Sequence, residues 1–119
     1  MLIESIDGCI LSSGRVYTDK DIVLKSVTSG MTVNNLIAPT ATVKIGALSK
    51  FSVTGSVVNN IDLVGVVNRG AIGSNVVNGS ITESGGTFSL MTITGNQCTS
   101  ISESLKTNDG VVVMGNIEG

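Results

Sequence analysis

Phe51-Ser-Val-Thr-Gly55 and Met91-Thr-Ile-Thr-Gly95 repeat one pattern, an apolar–polar alternation closed by glycine. Between them, 20 residues from each, stands Ala71-Ile-Gly-Ser-Asn75, and one further step either way reaches Met31-Thr-Val-Asn-Asn35 and Val111-Val-Val-Met-Gly115. Leu11-Ser-Ser-Gly-Arg15 is a degenerate first copy. The leading position therefore reads Leu11, Met31, Phe51, Ala71, Met91 and Val111, apolar throughout. Position five reads Arg15, Asn35, Gly55, Asn75, Gly95 and Gly115. Two positions later come Tyr17, Ile37, Val57, Val77, Gln97 and Ile117, and Ile61, Ile81 and Ile101 keep the same spacing. Several columns thus agree on one period without gaps, the signature of a repeat architecture.

An apolar residue recurring once per period stacks on its counterparts as an inward ladder. Gly or Asn recurring once per period marks a corner taken through positive φ, which those residues tolerate best. The short alternations between corners read as strands with one face inward. Together these predict an all-β fold, a single right-handed parallel β-solenoid (β-helix) of about six coils of 20 residues, spanning 1–119 as one domain. The handedness follows from the rule for parallel crossovers. Asp7-Gly8, Asn78-Gly79 and Asp109-Gly110 are hairpin signals that would suit an antiparallel meander. A meander has no reason to keep one period for so long. Pro39, the sole proline, is expected at a corner because it cannot donate to a ladder.

Composition agrees. Of 119 residues, 41% are apolar but only 3% aromatic, which suits a thin aliphatic core between close backbone layers. Net charge is −2 and the seven basic residues are scattered, so capture of nucleic acid or of an anionic membrane is not expected. No stretch has the length and apolarity of a membrane helix, and the start lacks the regions of a signal peptide. With no histidine, the commonest general base and metal ligand is missing. Cys9 and Cys98 fall in coils about four strand spacings apart, too far for a disulfide, so free thiols and a reducing, cytoplasmic setting are expected.

Candidate chemistry is sparse. Asp62, Glu83 and Glu103 lie close to one column and could form an acidic ladder, and glycoside hydrolysis uses two carboxyls roughly 5–9.5 Å apart. No aromatic platform or histidine accompanies them, so solvated turn residues are the expectation, with no catalytic, cofactor or metal residues. Gly65, Gly70 and Gly73 lack the helix that a phosphate-cradling loop would open. Ser52-Val-Thr54 and Thr92-Ile-Thr94 place hydroxyls on one flat strand, as in ice-binding solenoids, but the column is expected to break at Ile72, Val112 and Met114, apolar residues that suggest a partner. The ends carry the strongest hint. Leu2, Ile3 and Ile6 at one end, and Val111, Val112, Val113, Met114 and Ile117 at the other, offer apolar edges without an amphipathic helix or lysine guard. Uncapped coils predict self-association by end-to-end stacking, or a partner that supplies the missing strand.

Val66-Val-Asn-Arg-Gly-Ala-Ile-Gly-Ser-Asn-Val-Val77 and Val113-Met-Gly-Asn-Ile117 resemble the Gly-punctuated coils of bactofilins, bacterial cytoskeletal proteins with β-helix cores. The resemblance implies end-to-end polymerisation without nucleotide or cofactor, into a cytoplasmic filament. The coil here is longer than in that family, and its polar terminal tails are not recognisable. Three functions compete on this reading. The first is a self-assembling scaffold. The second is a β-helical segment of a phage tail spike, fibre or surface adhesin, trimeric, on a virion or cell surface, and bound to a surface glycan or host receptor. The third is a carbohydrate-active enzyme using Glu83 and Glu103.

Overall fold

The structure, a computed structural model, describes residues 2–5, 9–15, 21–26, 31–46 and 48–119, with side chains described at 21–24, 31–46 and 50–119. Its strands are β1 (Leu2–Ser5), β2 (Cys9–Arg15), β3 (Ile22–Ser26), β4 (Met31–Ile45), β5 (Leu48–Thr54), β6 (Val57–Leu63), β7 (Val66–Gly73) and β8 (Val76–Val77). There follow β9 (Ser80–Glu83), β10 (Thr87–Phe88), β11 (Met91–Thr94), β12 (Gln97–Cys98), β13 (Ser100–Ile101), the single turn α1 (Glu103–Lys106), β14 (Val111–Met114) and β15 (Ile117–Glu118). Every pairing among them is parallel. The fold is a parallel β-solenoid.

Three sides carry the stack. On the first, β2, β4, β5, β7, β11 and β14 pair in that order. On the second, the middle of β4 pairs with β6, then β8, β12 and β15. On the third, β1, β3, β4, β6, β9 and β13 follow one another. Asn78-Gly79 and Asp109-Gly110 are corners between parallel strands, and Asp7-Gly8 lies outside the described residues.

The registers correct the gapless alignment. Cys9 pairs with Met31, Met31 with Phe51, Phe51 with Gly70, Gly70 with Met91 and Met91 with Val111, so the steps are 22, 20, 19, 21 and 20 residues. The near-regular coil runs for about four turns from Met31 to Val111, rather than six. The leading column holds Cys9 and Gly70 where Leu11 and Ala71 were expected. Gly70 is required there: a Cβ would strike the ring of Phe51 on the coil above. A full aromatic ring thus occupies space that its neighbour leaves empty. The same slip moves the corner from Asn75 to Ser74. Asn35, Gly55, Ser74, Gly95 and Gly115 all turn through φ between 55° and 69°. Likewise Val76, not Val77, aligns with Val57 and Gln97, and Arg15 aligns with Ile37 in place of Tyr17, which is outside the described residues.

Alternation along each strand sorts the side chains. Met31, Val33, Phe51, Val53, Ile72, Met91, Ile93 and Val111 are buried on the first side, and Ile22, Leu24, Val43, Ile45, Ile61, Leu63, Ile81 and Ile101 on the third. Ala38, Val58, Val77 and Cys98 fill the second. Ile72 is therefore core, stacked between Val53 and Ile93, and does not interrupt the outer face as expected. The outer columns read Thr32, Ser52, Ala71, Thr92, Val112 and Asn34, Thr54, Gly73, Thr94, Met114. Pro39 sits exposed within β4, where the pairing with β6 breaks between Ala38 and Thr42, a bulge that spares it a ladder bond.

Candidate functional site

The three carboxylates do not form a ladder. Asp62 pairs in register with Lys44 on one side and Thr82 on the other, and accepts hydrogen bonds from Thr82 Oγ1 at 3.0 Å and Ser84 Oγ at 2.9 and 2.8 Å. Lys44 itself meets Asp21 at 2.9 Å, and that hydrogen bond raises its pKa. Glu83 aligns with Leu63 and accepts from Gly85 N–H and Ser104 Oγ, each at 2.9 Å. Glu103 leaves the strand stack on α1, 3.6 Å from Lys106. Each acid is held separately by hydroxyls, a backbone amide or a lysine, as in a solvated turn. Among the described residues, no group of three or more His, Cys, Asp or Glu gathers to hold a metal.

Directly after the corner runs a feature that the gapless alignment hid. Ser56, Asn75 and Asn96 are each 1% exposed, and Asn116 continues the column. Leu36 N–H donates to Ser56 Oγ (3.1 Å), Ser56 N–H to Asn75 Oδ1 (2.9 Å), Asn75 N–H to Asn96 Oδ1 (3.0 Å) and Asn96 N–H to Asn116 Oδ1 (2.9 Å). The amide nitrogens serve the same preceding coil. Asn75, Asn96 and Asn116 donate from Nδ2 to the carbonyls of Val53, Ile72 and Ile93 at 3.0, 3.0 and 2.9 Å. A positive-φ corner turns its peptide groups out of the sheet ladder, and a side-chain amide can serve both a donor and an acceptor so exposed. Among the described residues no buried side-chain nitrogen or oxygen lacks a partner. The readable signal is a turn residue followed by Ser or Asn: Gly55-Ser56, Ser74-Asn75, Gly95-Asn96 and Gly115-Asn116.

The C-terminal end is partly closed, which corrects the expectation of a bare end. At α1 the chain leaves the strand path and sinks Leu105, fully buried, into the core. The acid Glu103 in its first turn and Lys106 in its last suit the helix dipole. Beside it, Glu118 aligns with Cys98 in the inward column of the second side. Its carboxylate accepts from Ile101 N–H at 2.8 Å and from Lys106 Nζ at 2.9 and 3.0 Å. The β13 edge is thereby occupied. The Lys106 hydrogen bond, then the Ile101 amide, hold the Glu118 carboxyl below its usual range, and the same contact raises Lys106.

The first and second sides stay open. Among the described residues β14 pairs only with β11, and β15 only with β12, so each keeps one edge without a described partner. Of the residues expected to mediate self-association, Val111 is buried and Val113 packs partly buried against the core. Val112, Met114 and Ile117 face outward, 44%, 61% and 65% exposed. Outward positions that are Thr or Gln in the preceding coil (Thr92, Thr94 and Gln97) all become aliphatic in this last one. An open depression of about 300 Å³ lies here, lined by Lys106, Val113, Met114, Gly115, Asn116 and Glu118. At the other end, Leu2 and Ile3 lie in β1, side chains undescribed, and Ile6 lies outside the described residues.

Cys98 is a free, buried thiol, and burial above all raises its pKa. No helix among the described residues is long and apolar enough to cross a membrane. Comparison with protein-family models, curated proteins and solved structures finds no match for the chain.

Proposed function

We propose that the chain is a non-enzymatic structural scaffold that joins a second copy through the open β14–β15 edge. The single observation that carries this reading is the aliphatic last coil. Val112, Met114 and Ile117 are exposed on two strands that each have one edge unpaired among the described residues. An unpaired parallel edge is a template for another strand, and its flanks here are apolar where the preceding coil carries Thr92, Thr94 and Gln97. The bactofilin-like coils point to filaments in the cytoplasm. The separately hydrogen-bonded carboxylates support the absence of catalysis, and glycan cleavage lost in Glu83→Gln would overturn that part.

Negative-stain imaging with light scattering tests assembly. Val112→Lys and Met114→Lys are the informative variants, because both side chains already face solvent and the fold tolerates charge there. Val113→Lys would instead damage the core. The expected outcome is concentration-dependent filaments of the parent protein and monomers of both variants. A parent that stays monomeric, or variants that assemble unchanged, would refute the edge.

A second reading rests on the outward column Ile37, Val57, Val76 and Ile117 along the second side, interrupted only by Gln97. Val76 is 40% exposed there. A lateral aliphatic stripe suits a trimeric tail-spike, fibre or adhesin segment that displays a glycan- or receptor-binding surface. Discrete trimers dispersed by Val76→Lys would favour it.

A further inference from the structure

The outer face of the first side is not level. Its two columns carry Ser52 and Thr54 on β5, Ala71 and Gly73 on β7, Thr92 and Thr94 on β11, and Val112 and Met114 on β14. β7 is therefore a notch one coil wide, its outward groups reduced to a methyl and a hydrogen. β14 is a ridge, since Val112 and Met114 are both exposed. Notch and ridge flank β11, one strand away on either side. The fold does not require the notch. A Cβ on Gly73 would make only ordinary contacts, the nearest at 3.6 Å, so the threonine of the neighbouring coils would fit there.

The charges follow the same arrangement. One position before the outer columns, the register brings Arg69, Leu90 and Gly110 into line, and Asp109 adjoins Gly110. Arg69 belongs to the notch strand, and Asp109 leads into the ridge strand. Both are exposed, and neither has an ion-pair partner among the described residues. Leu90, between them, is half exposed.

A two-fold axis laid along β11, in the plane of the face, exchanges β7 with β14. It sets Val112 over the partner's Ala71 and Met114 over the partner's Gly73. It brings Arg69 towards the partner's Asp109, while Leu90, Thr92 and Thr94 each meet their own counterparts. Large against small keeps the gap between packed sheets even at about 10 Å. A surface that matches itself in both relief and charge under one rotation suits an isologous contact with a second copy.

We infer that a second copy packs face to face on the first side, its coil axis reversed, about a two-fold along β11. The pairing goes beyond end-to-end docking, because it uses outward side chains and no main-chain group of an edge. Where coils also stack, it joins two filaments running in opposite directions.

Ala71→Thr/Gly73→Thr fills the notch with the residue its neighbours carry and leaves β14 and β15 untouched; an unchanged melting temperature checks its fold. Sedimentation velocity is expected to show dimers of the parent and monomers of the variant. Where filaments form, negative-stain images are expected to show them paired in the parent and single in the variant. Arg69→Glu should weaken pairing about tenfold, because the two-fold uses each ion pair twice, and adding Asp109→Arg should restore it. A filled notch that pairs like the parent, a parent with neither dimers nor paired filaments, or no recovery on adding Asp109→Arg overturns the inference. The two readings fail separately. Single filaments of the parent sink the face and leave the edge standing, and dimers that never elongate do the reverse.

Discussion

At the residue scale, the coil is decided by which side chains can stand above one another every 4.8 Å or so. Phe51 and Gly70 show the constraint most directly. The Phe51 ring projects into the space where a Gly70 Cβ would lie, so the pair behaves as one large residue shared between two coils. Gly70→Ala is expected to cost about 1–3 kcal/mol by overpacking a dense core, measured as a drop in urea midpoint or melting temperature. Gly73→Ala, three residues on, should be nearly neutral, because its nearest neighbour would be an ordinary contact at 3.6 Å. Phe51→Leu in the Gly70→Ala background should recover part of the loss, a coupling that distant sites would not show. An equal cost at Gly70 and Gly73 would mean that Gly70 does not sit beneath Phe51.

At the element scale, the sequence was readable where a column is uniform and misleading where bulk or hydrogen bonding shifts it by one. Aliphatic alternation and the corner glycines were enough to show parallel coils. The one-residue slip at Gly70 was hidden, because Ala71 is apolar and Asn75 is an acceptable corner residue, so the gapless alignment looked complete. What moves Asn75 off the corner is its amide, which from the buried position accepts from Ser56 N–H and donates to the Val53 carbonyl. The α1 turn was hidden for another reason. Four residues leave no periodicity to read, and its worth lies in burying Leu105, a tertiary fact. The clip that joins α1 to β15 has a defined acid dependence. Glu118 is held below its ordinary pKa, so its contribution is present at neutral pH and is lost as pH falls through that lowered value. Lys106 is raised and stays charged across this window. Hydrogen exchange at Ile101, corrected for the intrinsic pH dependence, should therefore speed up on acidification below the usual glutamate range. Glu118→Gln should flatten that response, and an unchanged response in the variant would remove the carboxylate from the account.

At the scale of the whole molecule, a solenoid is stabilised by nearest-neighbour contacts between coils, so protection from exchange should be highest in the middle and fall towards an unpaired end. Ile61, Ile72 and Ile81, each fully buried between two neighbouring strands, should exchange slowest. Val112–Met114 and Ile117, with a coil on one side only, should exchange fast in dilute protein. Docking at the β14–β15 edge changes this gradient at one end alone, because a strand that binds the folded edge stabilises it by mass action. Raising the protein concentration should therefore slow exchange at residues 111–118 while the middle coils barely respond. Lateral association through Val57 and Val76 gives a different pattern, since those side chains point away from the edge and their packing adds no main-chain partner to β14. If protection at 111–118 is the same in dilute and concentrated protein, the end is not a docking edge and the aliphatic last coil needs another explanation.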